Sequence, residues 1–494
     1  MSASPINQAT RPIAITTPLG DNVLGLRSIV VKEQISRPFV IEAQFSSLDP
    51  DINFDNIVGH PVTVSLTLAS GQKRLWHSLV SRFTFIGRHE QYFHYRATLV
   101  PWLWALTRTA DCRIFQEQTV PDIVQKVLRD GGWSDFELRL SGHYSTWEYC
   151  VEYRETDFNF VSRLLEQEGI AYHFKHTADK CMLVLGDEKA AYDPLADFAE
   201  LYYRPDTVEE RLQDTITSWN VDREVQPTKY SLTDYNFTVP RQSLLGVAQV
   251  SRAHAVNDGK IFDYPGEYTV VGEGERLAQI RLEELQVGLE TVRADTSCVA
   301  VTAGALFTLK EHPRADQNRE YLITSTQLYL DAGEFSSDPS TSPKAECSFT
   351  AIPSTQTFRP SRSTAKPIVQ GLQTATVTGP AGQEIYVDKY ARVKVQFHWD
   401  RYGKRDDNSS CWIRVAQGWT GKGWGHIANP HIGQEVIVGF LEGDPDRPII
   451  VGRIYNGDNM PPYALPGAAA MIGMKSQSTS TTSAQSLTSR IKPR

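Results

Sequence analysis

Apolar and polar residues alternate strictly at Val62, Val64, Leu66 and Leu68, with Thr63, Ser65 and Thr67 between them. A period of two puts successive side chains on opposite faces, so this segment makes a strand with one dry and one wet face. The same alternation returns late in the chain at Val393, Val395, Phe397 and Trp399, separated by Lys394, Gln396 and His398. Phe83 and Phe85, followed by Tyr92–Leu99, extend the antiparallel-looking pattern. Such spacing cannot line up along a helix, so sheet dominates the fold.

Helices interrupt the sheet pattern at three places. Thr119 and Pro121 form an N-cap with proline in the first turn, Ile123, Val124, Val127 and Leu128 supply a stripe, and Gly131-Gly132 ends it. Thr156-Asp157 opens a second helix that turns Phe158, Val161, Leu164 and Leu165 inward and stops at Gly169. A third is expected over Glu273–Val287. Residues 358–373 have few regular patterns and read as a linker. Five short strands follow, at Thr374–Thr378, Arg392–Asp400, Cys411–Gln417, Glu435–Leu441 and Ile449–Tyr455. That is the size of a small closed barrel of the oligonucleotide/oligosaccharide-binding (OB) type. Residues 476–490 carry Ser or Thr at 10 of 15 positions, so the chain from Lys475 onward is expected to be disordered.

Composition excludes several classes. With 40% hydrophobic and 22% charged residues in 494, wholesale disorder is excluded, and about 150 residues per domain gives three or so domains. The formal charge of −8 argues against a general nucleic-acid or anionic-membrane binder. Residues 1–369 hold 36 Lys and Arg against 48 Asp and Glu, whereas residues 370–460 hold 10 against 10, so the acidic excess lies in the body. No secretory signal is read, because Arg11 is the first basic residue and Pro12–Thr16 is short. Ala464–Met474 falls far below the roughly 20 residues of a membrane span. The six cysteines are scattered without a C-x-x-C pair and read as buried free thiols of a chain folded in a reducing cytoplasm.

A search for chemistry finds no catalytic, cofactor-binding or metal-ligating residues. His89-Glu90 and His94 miss the i, i+4 spacing of a zinc helix, and an extended segment here sends the two rings to opposite faces. His173 and His176 fail for the same reason. Gly418–Gly425 (GWTGKGWG) lacks the Ser or Thr and the earlier glycine of a phosphate loop, and reads as an aromatic barrel loop. Asn236 and Asn408 sit in chance glycosylation triplets. No G-x-S-x-G elbow occurs. Trp399, Trp412, Trp419 and Trp424 with Lys394, Arg414 and Lys422 offer a stacking basic groove. Their alternative is barrel core plus subunit contact.

Several stretches then become specific in their joint order. They include Cys112–Gln116, Trp147–Val151, Tyr153–Ile170, Asp263–Tyr268, Asp316–Tyr321, Arg392–Asp400 (RVKVQFHWD), Ser410–Val415, Ile432–Val436 and Phe440–Pro448 (FLEGDPDRP). From about residue 10 to 475 the chain resembles the VgrG family, the trimeric spikes of type VI secretion related to contractile phage tails. The resemblance implies a mainly β fold with some α: a phage-hub-like β-barrel body over residues 1–365, a linker at 366–373, a five-stranded OB barrel at 374–460, and a short tail at 461–494. It implies a non-enzymatic homotrimer, with no cofactor, that caps the secretion tube protein (Hcp) and meets the baseplate. A PAAR-type tip protein and effectors belong to full-length relatives. No nucleic acid and no stable membrane insertion are implied. The chain would wait in the bacterial cytoplasm and leave without a signal peptide for the extracellular space or a target cell. The family's β-helical needle is expected to be absent here, because family character is lost after Ser476. An expression fragment, a truncated or frame-shifted gene and a naturally short spike compete to explain that. The rivals are an OB-fold nucleic-acid or glycan binder, and a peptidoglycan hydrolase by analogy with the phage spike.

Overall fold

Strand pairing dictates the architecture of this chain. A computed structural model describes residues 6–9, 11–205, 214–253, 255–335, 344–477 and 484–490. Thirteen strands form one sheet that wraps into two rings. The first ring runs in the order Ile13–Thr16, Pro61–Thr67, Lys73–His89, Tyr92–Val100, Arg37–Ser47, Gly25–Gln34, all antiparallel. Its alternating residues Ile29, Val31, Ile41, Phe45, Val64, Trp76, Tyr95 and Leu99 point into a buried core. Backbone pairing does not close this ring. Instead the buried side chain of Gln8 spans the gap: its Oε1 accepts from Ile15 N (3.0 Å) and Leu26 N (3.2 Å), and its Nε2 donates to Ile15 O (3.3 Å).

The second ring is closed by its own ladder. Glu320–Asp331, Lys344–Pro353, Glu290–Thr296, Thr215–Arg223, Glu200–Tyr203 and Ala305–Lys310 follow one another, and the last pairs back to the first. Aromatic rings fill it, with Trp219 edge-on to Tyr321 at 4.9 Å and Phe307 edge-on to Phe349 at 5.5 Å. Ladder closure of the second ring removes the unpaired edges that otherwise invite aggregation, and in the first ring the Gln8 side chain satisfies part of the open edge.

Strands Gly25–Gln34 and Glu320–Asp331 pair in register from Ser28↔Asp331 to Gln34↔Ser325 and join the two rings. Glu33, buried on this junction, holds both sides. Its carboxylate accepts from Arg74 (2.8 Å) and the Trp76 indole (2.8 Å) of the first ring, from Thr326 (2.8 Å) of the second, and from Thr302 (3.2 Å). Burial alone would raise its pKa, but Arg74 and these donors outweigh it and the net shift is downward.

Helices form where the caps and stripes require. Helix α1, Val120–Asp130, buries Ile123, Val124, Val127 and Leu128. Helix α2, Asp157–Glu168, buries Phe160, Val161, Leu164 and Leu165, so the inward set includes Phe160 where Phe158 was expected. Helix α3, Val271–Gln286, covers a three-stranded sheet of Lys229–Leu232, Gly246–Gln249 and Lys260–Asp263.

Two units result, and neither is a contiguous block. One comprises Met1–Thr109, Val120–Ser145 and Asp157–Ala365; the other comprises Ala110–Thr119, Thr146–Thr156 and Lys366–Arg494. The contiguous body expected over residues 1–365 therefore yields two segments to the second unit. Part of the expected linker is also firmly held. Within the first unit the buried Arg359 donates to the carbonyls of Gly169 (3.1 Å) and Asp187 (2.7 Å), and Glu166 accepts from Ser363 N and Thr364 N.

In the second unit the five expected strands appear as Gln373–Thr378, Lys394–Phe397, Arg414–Val415, Glu435–Phe440 and Pro448–Ile454 in one sheet. A single bridge, Val393↔Ile413, ties its two outer strands. Of the tail expected to be disordered from Lys475, Met471–Gln477 pairs antiparallel with Ala484–Arg490, while residues 478–483 and 491–494 lie outside the described residues.

His173 and His176 lie within the first unit, and burial pushes both down to about 4. Below pH 6.5 an unfolded chain takes up protons that these imidazoles refuse, so stability is intact above 6.5 and falls as pH drops toward 4. Replacing both by Phe or Gln is expected to remove part of that acid sensitivity in urea melts at pH 7 and pH 4.5. Separately, Glu33→Ala leaves Arg74 uncompensated at the ring junction and should cost ~3–5 kcal/mol in the same melts.

Candidate functional site

The titratable residues do not converge. No group of three or more His, Cys, Asp or Glu side chains among the described residues is placed to hold a metal ion. One expectation about the histidines is corrected. Glu90, with φ 54°, and Gln91 form a hairpin turn, so His89 and His94 stand on adjacent strands with ring centroids 6.1 Å apart rather than on opposite faces of one. His94 is buried, and its Nδ1 lies 2.9 Å from the Arg27 guanidinium; burial and that cation keep its pKa low. Neither ring has a third ligand. His173 packs on Tyr192 and His176 on Phe39, both as core side chains.

All six cysteines are free, with Cys150, Cys181, Cys298 and Cys347 buried. Burial pushes Cys298 and Cys347 up to about 12, which leaves them unreactive as nucleophiles. Two larger depressions lie on the first unit. One, of about 470 Å³, is lined by residues such as Arg82, Thr84, Arg96, Thr98, Glu42 and Gln44 from adjacent strands. It has the charged, hydroxyl-rich character of an outer sheet face, where the Thr98 hydroxyl donates to Glu42 at 2.9 Å across adjacent strands.

The four tryptophans separate into two pairs, so they do not build the stacking groove that their sequence proximity offers. Trp399 is half-buried: it stacks on Phe397 at 5.1 Å, meets Tyr153 edge-on at 5.7 Å, and donates its Nε1 to Gln373 Oε1 at 2.9 Å. Trp412 packs on Tyr386 at 4.8 Å with Lys394 Nζ above its ring. Trp419 and Trp424, by contrast, are 63% and 59% exposed on a small hairpin of Thr420–Gly421 and Trp424–Gly425. Lys422 sits at the tip of that hairpin, away from Lys394.

What the sequence reading missed is how two early segments complete the C-terminal unit. Ala110–Phe115 and Cys150–Thr156 pair antiparallel, and Ile114 joins the barrel core of Val377, Val395, Phe397, Ile413, Val436 and Val438. Polar ties fix this ladder. Asp111 accepts from Arg401 (2.7 Å) and the Tyr402 hydroxyl (2.7 Å); burial opposes its charge, but these donors prevail and its pKa is lowered. Arg113 pairs with the fully buried Glu152 at 2.6 Å. Asp446 Oδ1 accepts from Val151 N at 2.6 Å, while Lys366 lies 2.9 Å from Asp444 and 2.8 Å from Asp446. The only early signal was that Cys112–Gln116, Trp147–Val151 and Phe440–Pro448 were all distinctive stretches. Asp446→Ala strips the acceptor from a buried N–H and a partner from Lys366. It should destabilise the C-terminal unit by ~1–3 kcal/mol, read as an earlier transition in thermal melts.

These features place the chain among known proteins. A family model of the phage tail baseplate hub (GPD) matches residues 32–333, and a model of the type VI secretion system/phage-baseplate injector OB domain matches residues 381–455. The type VI secretion system spike protein VgrG1b of Pseudomonas aeruginosa is 46% identical over 477 residues, 95% of this chain and 64% of that protein. VgrG1a of the same organism is 45% identical over 476 residues, 95% of this chain and 73% of that protein. This chain thus spans about two thirds of the length of these relatives. In fold it matches the E. coli c3393 protein, a type VI secretion component with structural similarity to the T4 bacteriophage tail proteins gp27 and gp5. The TM-score is 0.65 at 21% identity, over 89% of this chain and 100% of that one. Two β-rings, an OB-type barrel and sequence identity along nearly the whole chain agree, and the chain belongs to the VgrG family of type VI secretion spike proteins.

Proposed function

We propose that the chain is a non-enzymatic hub of a type VI secretion apparatus, acting as a homotrimer. The observation that carries this reading is the apolar surface of the C-terminal unit. Ile368, Leu372, Trp419, Trp424, Ile427 and Tyr455 are each more than half exposed. Scattered apolar residues are normal on a surface, but Leu372, Ile449 and Val451 all lie within 4 Å of the position a Cβ would take at Gly439, so part of this surface is one patch. In this reading other copies of the chain cover it.

In that role the body ring meets the secretion tube protein (Hcp) and the baseplate, and the whole assembly is driven out when the sheath contracts, to puncture a target cell and carry effectors. The chain waits in the cytoplasm and reaches the outside through the apparatus it caps. A PAAR-type tip and effector cargo are read for the longer relatives of the family. Among the described residues no helix is long and apolar enough to cross a membrane, which suits a soluble, ejected part. The separation of Trp399 and Trp412 from the exposed Trp419–Trp424 pair, with the acidic body, gives no support to a nucleic-acid or glycan groove.

Light scattering of the purified chain across a hundredfold concentration range tests the reading. A mass three times that of the chain, dissociating on dilution, is expected, because folding and association are linked. A monomer at every concentration overturns it.

A further inference from the structure

The C-terminal unit carries two apolar features of opposite shape. The first projects. Trp419 and Trp424 meet edge-to-face with ring centroids 5.3 Å apart, on a hairpin whose turn is Lys422-Gly423. Glycines hold the pair outward. A Cβ at Gly421 would overlap the Trp424 ring, a Cβ at Gly425 would strike the Trp419 carbonyl, and Gly423 and Gly425 have φ of 77° and 138°. The rings are therefore pre-set rather than floppy, and pre-set exposed tryptophans are the strongest anchors protein interfaces use.

The second feature is flat. Strands Glu435–Phe440 and Pro448–Ile454 pair with Gly439 opposite Ile449 and Ile437 opposite Gly452. The side chains of Leu372, Ile449 and Val451 close around Gly439, each within 4 Å of where its Cβ would stand, and make one continuous apolar face. Ile368, 68% exposed, borders it beside Gly443. The adjoining residue, Glu442, is exposed with φ 55°, and no ion pair engages it or Lys422 among the described residues. The nearby Asp444 and Asp446 are already taken by Lys366. Thus the projecting feature carries an unspent positive charge, and the flat one an unspent negative charge.

A projection and a complementary seat on one unit make a head-to-tail contact, which closes into a ring when the rotation permits. We infer that the Trp419–Trp424 hairpin of one copy seats on the apolar face around Gly439 of the next copy, with Lys422 opposite Glu442. The inference rests on the trimer reading and assigns the residues that hold it together.

The test uses the full chain with K422E, E442K, the K422E/E442K double reversal and a W419A/W424A variant. The concentration at half-assembly is measured by sedimentation for each. Either single reversal sets like charges together and should raise that concentration about fivefold or more, while the double reversal returns it to within about twofold of the parent. Recovery in the double reversal also rules out misfolding as the cause. W419A/W424A should raise it about tenfold or more. Normal assembly of W419A/W424A, or no recovery in the double reversal, overturns the inference while leaving the trimer standing. A parent chain that never assembles fails the trimer reading itself, and the contact falls with it.

Discussion

Pairing between strand Gly25–Gln34 and strand Glu320–Asp331 is the constraint on which the body of this protein depends. It joins segments nearly three hundred residues apart, so its loop-closure entropy must be met by what it brings together. In return, the two rings become one thirteen-stranded sheet whose strands are paired at the join. The Glu33 carboxylate sits at that seam with donors from both sides. A buried charge is tolerated there because every approach to it is occupied, and the same completeness makes it costly to disturb.

The C-terminal unit follows a different logic. Its barrel core is small and dry, and it recruits a two-stranded ladder from early in the chain to finish it. Its outer surface is built by omission. Glycines at 421, 423 and 425 hold two tryptophans out, and around Gly439 the side chains of Leu372, Ile449 and Val451 close into one apolar face. A monomer gains nothing from either arrangement. Under the proposed trimer, both surfaces are ones that neighbouring copies would cover.

Local chemistry was legible from the sequence, and long-range closure was not. Helix α1 runs from Val120 to Asp130 because Thr119, Pro121 and Gly131 each act within one turn. The five barrel strands follow from alternation that is also local. By contrast, nothing near Gln8 announces that its amide will bridge two strands, and nothing near Ile114 that it will enter a barrel core formed after residue 370. The His89–His94 pair was misplaced because a two-residue turn at Glu90 looks like a continuing strand when only periodicity is read. The tryptophans were grouped by proximity along the chain, whereas packing on Phe397 and Tyr386 separates Trp399 and Trp412 from the exposed pair.

Hydrogen–deuterium exchange of the backbone amides in residues 28–34 and 325–331 tests most directly whether the body is one sheet. If the seam unites the rings, these amides exchange as slowly as those in the ring interiors around Ile41 and Phe349, and only by global unfolding. Fast exchange at the seam with both ring interiors still protected would show two independent barrels, and would contradict the account.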